Sequence, residues 1–279
     1  MKVAIFGAKG RLGQALTTCI TERGHEVFPY SRENFNVDEF LNKDQNIKAH
    51  LDVVINTIAI TDVDRCEENP AFAQKINAQF PLELARYCDL KNIKLIHIST
   101  DYVFSGNNTG HYSEYSTPEP ICAYGASKLQ GEIGVLSVKN NRNLVIRTAW
   151  LFDLHKSNFL TWILGEMKSN KEPIKVVADQ YGSPTSTIFL ANKITELIGG
   201  NANNILHLTN LGQASWYQIA QDIAVIKGFA LERLVPIDAK SLERKAPRPT
   251  NTSLVSARTE ELAIDLSMTW AESLRQVLL

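Results

Sequence analysis

The sequence predicts an α/β protein, a doubly wound parallel sheet with a smaller C-terminal α/β domain. Two observations carry this. Short Val/Ile-rich runs alternate with longer amphipathic segments through the first 150 residues, the order that lays parallel strands between helices. The first apolar run also ends in a glycine-rich turn that opens a helical segment, the start of a nucleotide-binding βαβ unit.

Val3–Phe6, Glu26–Tyr30, Asp52–Thr57, Lys94–Ser99 and Leu144–Thr148 have the length and apolar content of strands buried on both faces. The stretches between them, Leu12–Arg23, Glu39–Lys48, Pro70–Leu90 and Tyr124–Val138, read as helices. Asn69 supplies an N-cap and Pro70 a first helical residue. Pro81, lacking an N–H, is expected to kink or interrupt the third helix. After Trp150 the rhythm changes. Phe159–Lys168 and Trp216–Gly228 read as helices, the second capped by Ser215, with a strand at Ile174–Ala178. Residues 1–150 are therefore expected to form one domain and 151–279 mainly another, with a helix at Phe189–Ile198 returning part of the second (about 185–200) to the first. Ala246 to Pro249 reads as an extended loop.

The 279 residues suffice for a sizeable core. A net charge of −1 without a basic block argues against nucleic acid as a partner. Cys19, Cys66, Cys88 and Cys122 are scattered, and neither they nor the six histidines show metal-ligand spacing, so no metal site is predicted. The run Val3–Phe6 is too short for a signal peptide, and no apolar stretch approaches the ~18 residues of a membrane span. A soluble cytoplasmic protein is expected.

Gly7-Ala8-Lys9-Gly10-Arg11-Leu12-Gly13 follows the first strand. Glycines at this spacing permit a tight turn, and the helix N-terminus offers N–H groups to a pyrophosphate. Gly7, Gly10, Arg11, Leu12 and Gly13 are thus predicted to hold a dinucleotide. The second strand ends at Ser31-Arg32, where NAD-preferring folds place an acid for the ribose 2′-hydroxyl. Ser31 and Arg32 suit a 2′-phosphate instead, which predicts NADPH, with NADH as the alternative. Asn36, Val37, Ile58, Ala59 and Ile60 are expected beside the adenine and its ribose.

Tyr124 and Lys128 lie i, i+4 on one predicted helix, so both project from one face. An ammonium beside a phenol stabilises the phenolate and lowers a pKa that is otherwise about 10. Thr100, ending an apolar strand, can offer its hydroxyl to the same substrate oxygen. Together with a dinucleotide, Thr100, Tyr124 and Lys128 predict hydride transfer at a carbonyl.

Read together, these segments resemble the extended short-chain dehydrogenase/reductase superfamily, with its Rossmann-like fold, and within it the dTDP-4-dehydrorhamnose reductase family. The resemblance is carried by Thr61 to Glu67, Ser99 to Gly106, Tyr124 to Lys128, Arg147 to Trp150, Asp179 to Thr185 and Arg248 to Asn251. It implies reduction of the 4-keto group of dTDP-4-dehydro-β-L-rhamnose, with Thr100, Tyr124 and Lys128 as the catalytic set. It also implies that Thr61, Val63, Thr100, Asp101, Tyr102 and Trp150 line the nucleotide-sugar pocket and that the protein is a homodimer. The chain departs from the family pattern at Arg11, where Gln is common, and at Tyr30, Asn36, Ile60 and Cys122. Phe152-Asp153 stands where Tyr-Gly is common. Some relatives bind magnesium through glutamates where Ala15 and Ile188 stand here, so no metal is carried over. The alternatives are a reductase of another nucleotide-linked 4-keto-6-deoxyhexose, or a non-catalytic NADP-binding regulatory subunit. A 4,6-dehydratase is disfavoured because Tyr102 follows Thr100-Asp101 where a second acid is needed.

Overall fold

The computed structural model describes residues 1–43, 47, 50–169 and 172–279. The chain begins β1 (Lys2–Phe6), α1 (Arg11–Glu22), β2 (Glu26–Tyr30), α2 (Val37–Leu41) and β3 (Val53–Asn56). It continues through α3 (Val63–Glu68), α4 (Pro70–Gln74), α5 (Phe80–Leu90), β4 (Lys94–Thr100), α6 (Ala123–Ser137) and β5 (Leu144–Thr148). The second half contains β6 (Leu151–Phe152), α7 (Phe159–Ser169), β7 (Ile174–Val177), β8 (Tyr181–Gly182), β9 (Thr185–Ser186) and α8 (Thr187–Leu197). It closes with β10 (Asn204–His207), β11 (Ala214–Ser215), α9 (Trp216–Lys227), β12 (Leu234–Ile237) and α10 (Trp270–Leu278).

Six strands form one parallel sheet in the order β2-β1-β3-β4-β5-β10. The chain leaves β1 toward β2 on one side and returns to β3 on the other. The crevice at the carboxyl ends of β1 and β3 is thus the topological switch point, where such sheets bind ligands. One face of the sheet packs Ile5 and Ile55 on Leu16 and Ile20 of α1 and on Leu190 and Ile194 of α8. The opposite face packs Phe6, Phe35, Phe80 and Leu84. A separate core joins Leu160, Ile163, Ile219, Ile223 and Leu274. Because α8 packs on α1 and β10 pairs with β5, residues 187–207 are part of the sheet layer rather than of that second core.

One helix differs from the sequence reading, and another is interrupted beside Pro81, as that proline led one to expect. The helix expected at 39–48 spans Val37–Leu41 and ends at Asn42, with Lys43 at φ 65°. Phe40 is the single buried residue in it, too little apolar surface to carry further turns. Residues 44–46 and 48–49 of that expectation lie outside the described residues. The expected helix 70–90 is broken by a π-helical turn at Lys75–Gln79, just before Pro81. Pro81 has no N–H for the carbonyl of Asn77, and a widened turn absorbs the mismatch. That carbonyl lies against α6, where a Cβ on Gly131 would come within 2.1 Å of it.

Candidate active site

The glycine turn is shaped by contacts that exclude side chains. Gly7 has φ +85°, and a Cβ there would meet Thr57 Oγ1 at 2.5 Å. A Cβ on Gly13 would approach the Gly7 carbonyl oxygen to 2.2 Å, so Gly13 lets α1 lie close to the turn. Gly10 caps α1 without a side-chain hydrogen bond, leaving the first-turn N–H groups for an anion. A pyrophosphate fits this cradle.

The facing wall is built where β4 meets α6. Cys122 caps α6, its Sγ accepting from Gly125 N–H at 3.5 Å. Gly125 permits close docking, since a Cβ would lie 2.1 Å from the Tyr102 carbonyl oxygen. This docking brings Tyr124 and Lys128 beside Thr100 and Asp101 on one cavity of about 890 Å³. The same cavity reaches Gly10, Arg11 and Leu12 at its far end.

Thr100 Oγ1 donates to Asp101 Oδ1 at 3.0 Å and accepts from Tyr102 N–H at 3.2 Å. The Thr252 hydroxyl donates to Asp101 Oδ2. Burial pushes the Asp101 carboxyl up to about 6, against the pull of these hydroxyls.

The sequence expectation of a phenol acidified by Lys128 does not hold in this structure. Burial drives the Tyr124 phenol well above its ordinary range, and Thr100 offsets this only in part. Lys128 is itself pushed down to about 8 by burial, with Glu132 opposing. The reason is geometric: Lys128 Nζ donates to the Ile98 carbonyl at 2.6 Å and is 3.5 Å from His97 Nε2. Spacing placed the two groups on one helix face, and the backbone of β4 claims the amine.

The outer wall comes from the second half of the chain. Trp150, in a left-handed backbone conformation at φ 46°, stacks on Trp216 with centroids 3.7 Å apart and planes 4° apart. Gly182 lies so close that a Cβ would come within 2.4 Å of the Trp150 ring. The Arg11 side chain turns toward this wall. It donates to the carbonyls of Leu151 at 3.0 Å and Ser157 at 2.7 Å, and its Nε is 3.3 Å from Asp153 Oδ2. Two departures from the family pattern, Arg11 and Asp153, are thus partners.

Gly10, Arg11, Leu12, Ala59, Thr61, Val63, Thr100, Asp101, Tyr102, Tyr124, Lys128 and Trp150 all line the cavity. Gly7 and Gly13 shape the turn behind it. Ile58 packs into the aromatic core, and Ile60 joins a small cluster with Cys66 and Tyr124. Ser31, Arg32, Asn36 and Val37 are not among the cavity's lining residues and follow β2. There Ser31 N–H donates to Asn34 Oδ1 at 2.8 Å, and Asn36 Oδ1 accepts from Asp38 N–H at 2.9 Å. Sequence reasoning missed Thr57, Asn158, Phe159, Trp216 and Ile219 on the cavity wall. None belongs to a local motif; the Ser215 cap of α9 locates Trp216 on a helix but not in the cleft.

Among the described residues no helix is long and apolar enough to cross a membrane. Nor does any group of His, Cys, Asp and Glu among them suit a metal ion.

A parallel sheet with a glycine turn at its switch point, and a Thr/Tyr/Lys wall facing that turn, defines a nucleotide-binding fold of the reductase type. The chain belongs to the family described as RmlD substrate binding domain, which it matches over residues 1–279. It is 33% identical over 276 residues to a dTDP-4-dehydrorhamnose reductase of Mycolicibacterium smegmatis, covering 98% of this chain and 84% of that one. It is 30% identical over 273 residues to a dTDP-4-keto-6-deoxy-D-glucose reductase of Streptomyces niveus, covering 98% and 94%. A crystal structure of dTDP-4-dehydrorhamnose reductase from Bacillus anthracis, in complex with NADP, superposes with a TM-score of 0.92 at 30% identity, covering 99% of this chain and 98% of that one.

Proposed function

We propose that this protein uses NADPH to reduce the 4-keto group of a nucleotide-linked 4-keto-6-deoxysugar, dTDP-4-dehydro-β-L-rhamnose to dTDP-L-rhamnose. The observation that carries this reading is the convergence of Thr100, Tyr124 and Lys128 on one cavity that also reaches the glycine turn. The relatives named dTDP-4-dehydrorhamnose reductase support the sugar, and the NADP complex from Bacillus anthracis supports the cofactor.

Bound NADPH supplies the hydride. Tyr124 gives its phenolic proton to the oxygen of C4 as charge develops there, so ketone plus hydride plus proton yields the alcohol. Burial keeps this phenol loaded at neutral pH, as an acid must be. Thr100, whose hydroxyl donates to Asp101 before substrate arrives, polarises the same oxygen by turning that hydrogen to it. Lys128, its amine pushed down to about 8 by burial, supplies the proton that restores the phenol. Arg11 and Leu12 offer backbone N–H groups to the pyrophosphate, while Gly7, Gly10 and Gly13 hold the turn, the Gly10 N–H donating to the Gly7 carbonyl at 2.7 Å. Ser31 and Arg32 receive the 2′-phosphate. Asn36, Val37, Ile58, Ala59 and Ile60 flank the adenine and its ribose. Thr61, Val63, Asp101, Tyr102 and Trp150 hold the sugar nucleotide. A homodimer in the cytoplasm belongs to the same reading.

A second substrate, dTDP-4-keto-6-deoxy-D-glucose, is favoured by the relative from Streptomyces niveus. Both are tested by adding a panel of nucleotide-linked 4-keto-6-deoxysugars to enzyme with NADPH or NADH and following loss of nicotinamide absorbance. Fastest oxidation of NADPH with the rhamnose precursor is expected. No oxidation with any ketosugar contradicts the reading and favours a non-catalytic binding subunit.

A further inference from the structure

Behind the cavity, a line of buried polar groups runs from β3 through β4 to α6, and only its last member, Lys128, has a role so far. Asn56 and His97 are both fully buried, and Lys128 nearly so. The backbone N–H of Ile58 donates to Asn56 Oδ1 at 3.0 Å. This fixes the amide, turning its Nδ2 toward His97 Nδ1 at 3.1 Å. An amide nitrogen only donates, so His97 Nδ1 must accept. Burial, with the Lys128 charge adding to it, holds His97 well below its ordinary pKa, so the ring is neutral and carries one proton. That proton is therefore on Nε2, the nitrogen 3.5 Å from Lys128 Nζ.

The amine thus meets an N–H rather than a lone pair. An N–H can donate to an uncharged amine and cannot accept from an ammonium. The remaining groups around Lys128 are accounted for. The Ile98 carbonyl takes one amine hydrogen at 2.6 Å. Glu132, one turn along α6, favours the ammonium, but its carboxylate is held by Arg147 of β5 and by Ser99 of β4. Tyr124 is protonated, and Asp101 is engaged by Thr100 and Thr252.

We propose that Asn56 and His97 form a positioning pair for Lys128, with Asn56 locking the His97 tautomer whose Nε2–H disfavours the ammonium. Neither residue touches the cavity; both act through the amine. The consequence is an amine that can pass its proton to the Tyr124 phenolate near neutral pH and recover it from water. This deepens the reductase reading and rests on it.

Two variants test the pair. Asn56→Asp keeps an acceptor for Ile58 N–H but accepts a proton from His97 Nδ1, so Nε2 becomes the acceptor and welcomes the ammonium. His97→Gln replaces the ring N–H by an amide that can turn its oxygen to the ammonium. The first readout does not depend on the reaction: carbamylation of Lys128 by cyanate, followed across pH by peptide mass spectrometry with surface lysines as reference, because only the uncharged amine reacts. In the wild type the midpoint should fall near pH 8, and in both variants about one pH unit higher, a tenfold tighter hold on the proton. The second readout is kcat with NADPH and ketosugar. Turnover needs the ammonium, so its falling alkaline limb should move up by the same amount. Unshifted midpoints overturn the pairing, whatever happens to activity. Shifted midpoints without any NADPH oxidation in the wild type support the pairing and contradict the reductase reading.

Discussion

The two walls of the cleft are built in different ways. The inner wall, where β4 meets α6, is a dry polar layer: Asn56, Asn77, His97, Ser127, Lys128, Glu132 and Arg147 are all nearly inaccessible. Each is anchored to a neighbour, as when Asn77 donates to the Ile60 carbonyl and to Ser127 Oγ, both at 3.0 Å. The outer wall is aromatic and drawn from distant segments, with Trp150 on Trp216 and a strap from 151 to 158 tied to Arg11. Buried, fully paired polar groups hold one geometry because any displacement leaves a donor or acceptor without a partner. Stacked rings and a partly exposed ion pair tolerate small movements. Under the proposed function, proton transfer falls to the inner wall and substrate selection to the outer one.

The sharpest break of that contrast is Tyr124→Phe. Loss of the proton donor should cut kcat by about 10³-fold, while NADPH affinity, measured by fluorescence titration, changes less than about twofold. Wild-type turnover in this variant would remove Tyr124 as the acid.

Asp101 should show itself through stability. Its folded carboxyl titrates near 6, above the unfolded value, so its stabilising effect is complete below about pH 4 and is lost as pH rises through 6. Holding a proton about two pH units more tightly is worth on the order of 3 kcal/mol. Asp101→Asn should therefore melt above the wild type at pH 8, and the gap should close as the pH falls to 4. A gap that widens on acidification would mean the carboxylate is stabilised rather than strained.

Trp216→Ala sharpens the other side. Removing the partner of Trp150 forfeits stacking worth about 0.5–1.5 kcal/mol. The KM for the sugar nucleotide should rise about two- to tenfold, with kcat changed far less than in Tyr124→Phe. Equal losses in both parameters would place Trp216 among the groups that act on the transition state.

The smallest effect belongs to Arg11 and Asp153. A double-mutant cycle with Arg11→Gln and Asp153→Gly, read by thermal unfolding, should give a coupling of about 1 kcal/mol. Strict additivity would show that the strap is held by its backbone hydrogen bonds alone.

The inner wall was legible in the sequence because its chemistry is local. Thr100 ends a strand, Tyr124 and Lys128 share a helix face, and the glycines of the turn are spaced by steric need. What the spacing could not show was the protonation of these groups. Burial, and the Ile98 carbonyl beside the amine, oppose the acidified phenol that proximity suggested. Of the outer wall only Trp150 was legible, through the resemblance, because Trp216, Ile219 and Phe159 reach the cleft through tertiary packing alone. Of the helix expected at 39–48, the described part stops at Leu41, where Asn42 and the left-handed Lys43 end the turn. The break near Pro81 was foreseeable from the missing N–H, although not its π form or its role in seating Gly131.

The destination of the hydride tests the reductase reading most directly. NADPH carrying deuterium at the transferable C4 position should be incubated with enzyme and dTDP-4-dehydro-β-L-rhamnose, and the product examined by NMR. A single deuterium on the sugar C4, with dTDP-L-rhamnose as product, is the predicted result. Unlabelled sugar, or deuterium at any other carbon, would contradict it.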